Sequence, residues 1–183
     1  MGGGTGNVSK KGKILGASHL ILVCLSSSAF PFRRLISYVD KLSQHFEDEI
    51  LLQTGMAGVK PNNPRSRCVD FIPIEEFDGY CHRSNLVISQ AGVGVLISCL
   101  SVGVPLIMVP RSSSNNETGT NHQYEMYDIV NRLGVKEQAV VVEDVDELIE
   151  TSKRLYGLKF PPRPIGDLSS VIFYRVIDSD GGR

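Results

Sequence analysis

Apolar residues along the chain fall into short continuous runs, separated by stretches with helical spacing. The first run is Leu-Ile-Leu-Val-Cys-Leu at 20–25, whose length and unbroken apolarity suit a strand covered on both faces, as in parallel sheets. A helix is expected over 31–46, with Pro31 in its first turn and Leu35, Val39 and Leu42 as its apolar stripe. Further strands are expected at 49–54, 68–72, 85–89, 105–109 and 139–142. Between them, helices are expected over 74–83, 92–101, 121–133 and 145–156, the third ended by Gly134. A Gly/Pro/Asn-rich loop at 56–65 and a polar loop at 111–120 interrupt the alternation. Pro161, Pro162 and Pro164 break the chain before a last helix with Asp167 as its N-cap.

Strands alternating with helices imply βαβ units. The expected fold is α/β, a Rossmann-like, mostly parallel sheet with helices on both faces. Ligands in such sheets bind beyond the carboxyl ends of the strands, so the loops after Leu25, Ser89, Val109 and Val142 are where chemistry should be sought. Residues 1–16 read as a disordered leader, 17–178 as one α/β domain, and 179–183 as a disordered tail. No internal repeat is visible.

Composition narrows the function. Of the 183 residues, 42% are hydrophobic, enough for a substantial core. Nineteen Lys plus Arg against twenty Asp plus Glu give a net charge of −1, and the one basic run, at 10–13, lies in the Gly-rich leader. A nucleic-acid partner is therefore not expected, because phosphate binding needs clustered cations. Cys24, Cys68, Cys81 and Cys99 lack C-x-x-C spacing, so we expect reduced, mostly buried thiols and no metal site, as suits a cytoplasmic protein. No apolar stretch is long and unbroken enough to span a membrane, and the leader has no secretory h-region. Gly6 stands where a myristoylation signal needs Ser or Thr.

Two segments carry candidate chemistry. In Leu-Val-Ile-Ser-Gln-Ala-Gly-Val-Gly, 86–94, a strand runs into Gln90, Ala91, Gly92, Val93 and Gly94. Glycines there let a ligand approach the backbone, and the helix they open offers free N–H groups and a positive dipole end to phosphate oxygens. The same glycines would also serve tight strand–helix packing. The segment is neither a dinucleotide fingerprint, since Ile97 holds the third glycine position, nor a P-loop. In the second segment, Asn121, His122 and Gln123 open a helix and could hold sugar hydroxyls. Asn121 would equally serve as an N-cap, and His122 as a packing residue. No nucleophile–base constellation emerges: Ser26, Ser27 and Ser28 lack a nucleophile elbow, and Glu75-Glu76 and Glu143-Asp144 read as helix starts.

Taken together, three stretches resemble one family in order and spacing: Ser89 through Gly94, Gly103 through Arg111, and Asn121 through Glu125, preceded by Phe-Pro-Phe-Arg-Arg-Leu-Ile at 30–36 and Gln53-Thr54-Gly55. The resemblance is to the C-terminal, donor-binding half of family 28 glycosyltransferases, and covers roughly 18–155. It lies nearest the stand-alone catalytic-subunit type, as in the two-subunit UDP-GlcNAc transferase of N-glycan precursor synthesis and its bacterial exopolysaccharide relatives. It implies the C-terminal half of a GT-B fold, with a UDP-sugar held by Ser26, Ser27, Gln90, Ala91, Gly92, Val93, Gly94, Ser98, Arg111, Asn121, His122 and Gln123. No cofactor or metal is implied. A membrane-associated partner would supply the acceptor-binding half, which puts the chain in the cytoplasm, peripheral to a membrane.

The chain departs from the family pattern at four places. Gln90 replaces a usual His, Ser98 an acidic residue that grips the ribose, Arg33 an Asp, and Ser26-Ser27-Ser28 a Gly-bearing loop. Losing the charge-assisted bond at Ser98 would weaken donor binding by roughly 1.5–3 kcal/mol. These departures support an alternative function, a non-catalytic member of the fold that stabilises or regulates a partner glycosyltransferase.

Overall fold

The structure, a computed structural model, describes residues 19–25, 30–118, 122–164 and 166, with only the backbone of Ala57 and His122. Six strands alternate with five helices: β1 (Leu20–Cys24), α1 (Arg33–Leu42), β2 (Glu49–Gln53), β3 (Ser66–Val69), α2 (Ile74–Arg83), β4 (Leu86–Gln90), α3 (Val93–Val102), β5 (Leu106–Val109), α4 (Met126–Leu133), β6 (Ala139–Val141) and α5 (Val145–Leu155). Every pairing is parallel, in the order β3-β2-β1-β4-β5-β6. This is the doubly wound order whose direction reverses between β1 and β4.

The unbroken apolar runs follow from burial on both faces. Successive strand residues point to opposite sides. Leu22, Cys24, Val87, Leu106 and Met108 pack with Phe77 and Cys81 of α2, Leu96, Cys99 and Leu100 of α3, and Met126 and Val130 of α4. Ile21, Val23, Leu86, Ile88, Ile107 and Val109 pack with Leu35, Ile36, Val39 and Leu42 of α1 and Leu148 and Leu155 of α5. Because α1 and α3 leave β1 and β4 on opposite faces, a crevice opens between the two strand ends.

Several expected boundaries move, each for a local reason. Helix α1 is shorter than 31–46. Phe32, fully buried and non-helical (φ −103°, ψ 63°), is its N-cap, so Pro31 precedes the helix. Strand β3 ends at Val69 rather than Ile72, whose N–H turns to the Gln53 side chain (2.9 Å). The helix expected over 121–133 is a 3-10 turn, His122–Glu125, followed by α4. Gly134 (φ 62°) ends α4 as expected. The Asp167 cap lies outside the described residues.

At the amino end of the sheet the chain comes back as an extended strap. Phe160 N–H donates to Gly103 O (2.9 Å) and Arg163 N–H to Leu100 O (2.9 Å), closing over the last turn of α3. Gly103 (φ +74°) has no room for a side chain, because a Cβ there would lie 2.0 Å from Phe160 O. Gly157 N–H on Asn85 O (3.0 Å) and Lys159 Nζ on Ser84 O (3.1 Å) fix the strap to the start of β4.

Candidate functional site

The crevice at the carboxyl ends of β1 and β4 brings together the loops expected to carry chemistry. Gly92 is the N-cap of α3 in extended conformation (φ −123°, ψ 132°), with no side-chain cap, and no acidic residue occupies the first turn. The first N–H groups of a helix lack intrahelical partners, so this end presents the positive end of the dipole and donors that no side chain among the described residues caps. Among the described residues, a Cβ on Gly92 would make only ordinary contacts, the nearest at 3.8 Å, and one on Gly94 would meet nothing within 4 Å. Neither glycine is demanded by a positive φ or by packing against the described residues.

Gln90, Arg111 and Gln123 do not sit as independent ligand contacts; they are tied to one another. The Arg111 side chain crosses the crevice, only 2% exposed. Its Nε–H donates to Gln90 Oε1 (2.7 Å), and its Nη1 to Phe30 O and Glu117 O, both at 2.9 Å. Its backbone N–H donates to Gln123 Oε1 (2.8 Å). That bond engages the carboxamide oxygen of a residue expected to hold sugar hydroxyls. It also holds Gln123 in the 3-10 turn ahead of α4. The guanidinium stacks 4.6 Å from the Phe32 ring centroid. Burial pulls the Arg111 guanidinium below its ordinary range, opposed by the nearby Glu117 charge.

A second arginine completes the network. Arg34, in the first turn of α1, grips Glu117 in a two-pronged pair, Nε to Oε1 at 3.0 Å and Nη2 to Oε2 at 2.8 Å. It also donates to Pro110 O (2.6 Å) and Glu143 O (2.9 Å). Ser112 N–H closes on Glu117 Oε2 at 3.0 Å. Burial pulls the Arg34 guanidinium down, but its hydrogen bonds to Glu117 outweigh this and the net shift is upward. Loops after β1, β4, β5 and β6 are thus joined by one set of charge-assisted bonds. Beside it, Pro31, Arg33, Arg34, Asn115, Asn116 and Glu117 line an open cleft of about 510 Å³.

Arg34 lies in the family-like stretch at 30–36, but nothing in the sequence pairs it with Glu117. They lie 83 positions apart, and nothing local distinguishes a carboxylate in a Ser/Asn-rich loop that will be buried from one that will not. Among the remaining expected residues, Ala91 is buried and Val93 half-buried at the start of α3, and Ser98 is half-buried one turn after Gly94. Ser26, Ser27 and Asn121 lie outside the described residues, as does the His122 side chain. The acidic pairs are helix starts: Glu75 and Glu76 sit in the first turn of α2, and Asp144 caps α5 by accepting from Glu147 N–H (2.8 Å). Cys24, Cys81 and Cys99 are buried free thiols and Cys68 is half-buried; burial pushes the Cys24 thiol up. Among the described residues no cluster of His, Cys, Asp or Glu could hold a metal, and no helix is long and apolar enough to cross a membrane.

A six-stranded, all-parallel doubly wound sheet with helices on both faces defines a Rossmann-like domain. The sequence matches the family model for the glycosyltransferase family 28 C-terminal domain over residues 20–158. The chain belongs to that family. The fold is the C-terminal half of a GT-B glycosyltransferase, as solved structures bear out. The glycotransferase of kitacinnamycin is similar with a TM-score of 0.55 and 16% identity, over 92% of this chain and 42% of that one. The Methanocaldococcus jannaschii UDP-GlcNAc 2-epimerase, solved with UDP-GlcNAc and UDP, gives 0.56 and 13%, over 88% and 45%. ALG13, solved by NMR, gives 0.51 and 21%, over 86% of this chain and 93% of that one. The chain thus spans about two fifths of the larger relatives. No curated protein matches the sequence.

Proposed function

We propose that the chain binds a UDP-sugar at the carboxyl end between β1 and β4 and donates its hexose to a lipid-linked acceptor. The observation that carries this reading is the pair of glycines opening α3: they leave room that the fold itself does not use, in a chain of a glycosyltransferase family. In the proposed reaction an acceptor hydroxyl attacks the anomeric carbon and gives its proton to a base on the acceptor side, while the bond to the diphosphate breaks and its electron pair leaves with UDP. N–H groups at the start of α3 would meet the charge that develops on the leaving diphosphate, so the step calls for no metal and no cofactor. Gln90, Ala91, Gly92, Val93, Gly94 and Ser98 would line the nucleotide. Ser26, Ser27, Arg111, Asn121, His122 and Gln123 would close the site from the neighbouring loops.

The acceptor side is assigned to a membrane-associated partner, following the resemblance to stand-alone catalytic subunits; the chain would then work in the cytoplasm, peripheral to a membrane. Ser98 favours a second reading. A half-buried hydroxyl, not a carboxylate, stands one turn into α3, so a non-catalytic member that stabilises a partner glycosyltransferase would keep the fold and lose the ribose grip.

Calorimetric titration with UDP tests the site. Wild type should bind, and Gly94→Val should lose at least tenfold in affinity while unfolding at the same denaturant concentration as wild type or slightly above it, since Val exceeds Gly in helix propensity by up to about 0.5 kcal/mol. Equal affinity in the folded variant would remove the phosphate site. Wild type that binds no UDP, alone or with a co-purified partner, would leave the non-catalytic reading.

A further inference from the structure

The strap that crosses the amino end of the sheet ends beside a groove. Arg163 N–H donates to Leu100 O, and its Nη1 donates to Leu133 O (3.1 Å), at the last residue of α4. The groove lies between that helix and the outermost strand. Tyr127, Val130 and Asn131 of α4, Lys136 in the turn and all of β6 line it, around a volume of about 310 Å³.

Strand β6 is the last in the sheet order. Leu106 N–H bonds to Gln138 O, and Val142 N–H to Met108 O. Backbone groups alternate in direction along a strand, so the N–H and C=O of Val141 point to the open edge. Such an edge is a template for further chain, and Ala-Val-Val carries no charge that would repel one.

The sequence supplies a segment suited to it. Residues 171–177, Val-Ile-Phe-Tyr-Arg-Val-Ile, lie outside the described residues. Only Arg175 among them is charged, and the rest are β-branched or aromatic, the types that fit a half-buried sheet surface. Covering them removes a large apolar area from water. Reach is no obstacle. From Arg163 to Val171 an extended chain spans up to about 28 Å, whereas α4, with 8 residues, is only about 12 Å long.

We infer that residues 171–177 seat in the α4–β6 groove of their own chain and cover the open edge of β6. The starting point fixed by Arg163, the apolar lining and the unpaired edge all favour this occupant. The groove is separate from the crevice between β1 and β4, so the inference does not rest on the function proposed there.

Amide hydrogen exchange in the full chain tests it. The Val141 N–H and the amides of 171–177 should both be protected, and dilution should not change that. Phe173→Asp places a charge in the segment and should speed exchange at Val141 at least tenfold, with Ile50 to Leu52 of β2 unchanged. Phe173→Leu should stay within twofold of wild type. Asn131 is exposed, so Asn131→Trp fills the groove without entering the core, and should speed exchange over 171–177 at least tenfold. Unprotected amides over 171–177 in wild type would overturn the inference, as would Val141 exchange indifferent to Phe173→Asp. Protection lost on dilution would assign the groove to the segment of a second copy and overturn it equally. If Phe173→Asp speeds every strand alike, the variant has lost overall stability and Asn131→Trp decides: slow exchange over 171–177 in that variant places the segment elsewhere.

Discussion

Helix α3 carries glycines at both ends, and the two ends are opposites. At its amino end, Gly92 and Gly94 have negative or helical backbone angles and open space where a side chain would go. At its carboxyl end, Gly103 has a left-handed φ of +74° and the strap carbonyl of Phe160 against its Cα. One end is closed by the chain's own backbone, and the other has no side-chain cap among the described residues. A glycine that the fold needs announces itself by strain or contact. Gly92 and Gly94 show neither among the described residues, which suits the ligand site proposed at this switch point.

Gly103→Ala should produce the largest effect. The left-handed conformation alone costs a non-glycine residue roughly 1–3 kcal/mol, and the contact with Phe160 O adds to it. Chemical denaturation should show a loss of about 3 kcal/mol or more, with increased proteolysis of the strap; a variant as stable as wild type would mean that the strap does not close on α3. Gln123→Ala probes the open end with a smaller change. Removing the acceptor from Arg111 N–H leaves a buried donor unpaired, at about 1–2 kcal/mol of stability. If the amide nitrogen also touches the sugar, UDP-sugar binding should fall several-fold more than UDP binding in paired titrations. Equal losses would place Gln123 at the nucleotide, and a stability loss with no change in binding would make it a structural support only.

The smallest effect belongs to the closed end. Tyr156 donates to Asp48 and accepts from Asn85 Nδ2 (2.9 Å). Burial and then the bond to Asp48 push its hydroxyl up to about 12. A group with a raised folded pKa contributes stability below its unfolded value, near 10 for Tyr, and loses it as pH rises through the folded one. The stability gap between wild type and Tyr156→Phe should therefore be under about 1 kcal/mol at neutral pH and shrink between pH ~10 and ~12. A gap constant through that range would detach Tyr156 from the linkage.

Much of this was legible in the sequence because it depends on local pattern. The run at 20–25, the helix over 74–83 and the stop at Gly134 follow from burial on two faces, amphipathic spacing and left-handed tolerance, which are properties of neighbouring residues. The family, too, showed in the order of short motifs around Gly92, Pro110 and Asn121. What tertiary structure alone decided is how the site is wired. Pro31 lost its place in α1 because Phe32 was drawn into the core. Gln123 gave its oxygen to Arg111, and Arg34 found Glu117 across 83 positions. Hydrogen bonds of a carboxamide or guanidinium are set by whichever groups the folded backbone brings within about 3 Å, and a chain read residue by residue holds no record of that meeting.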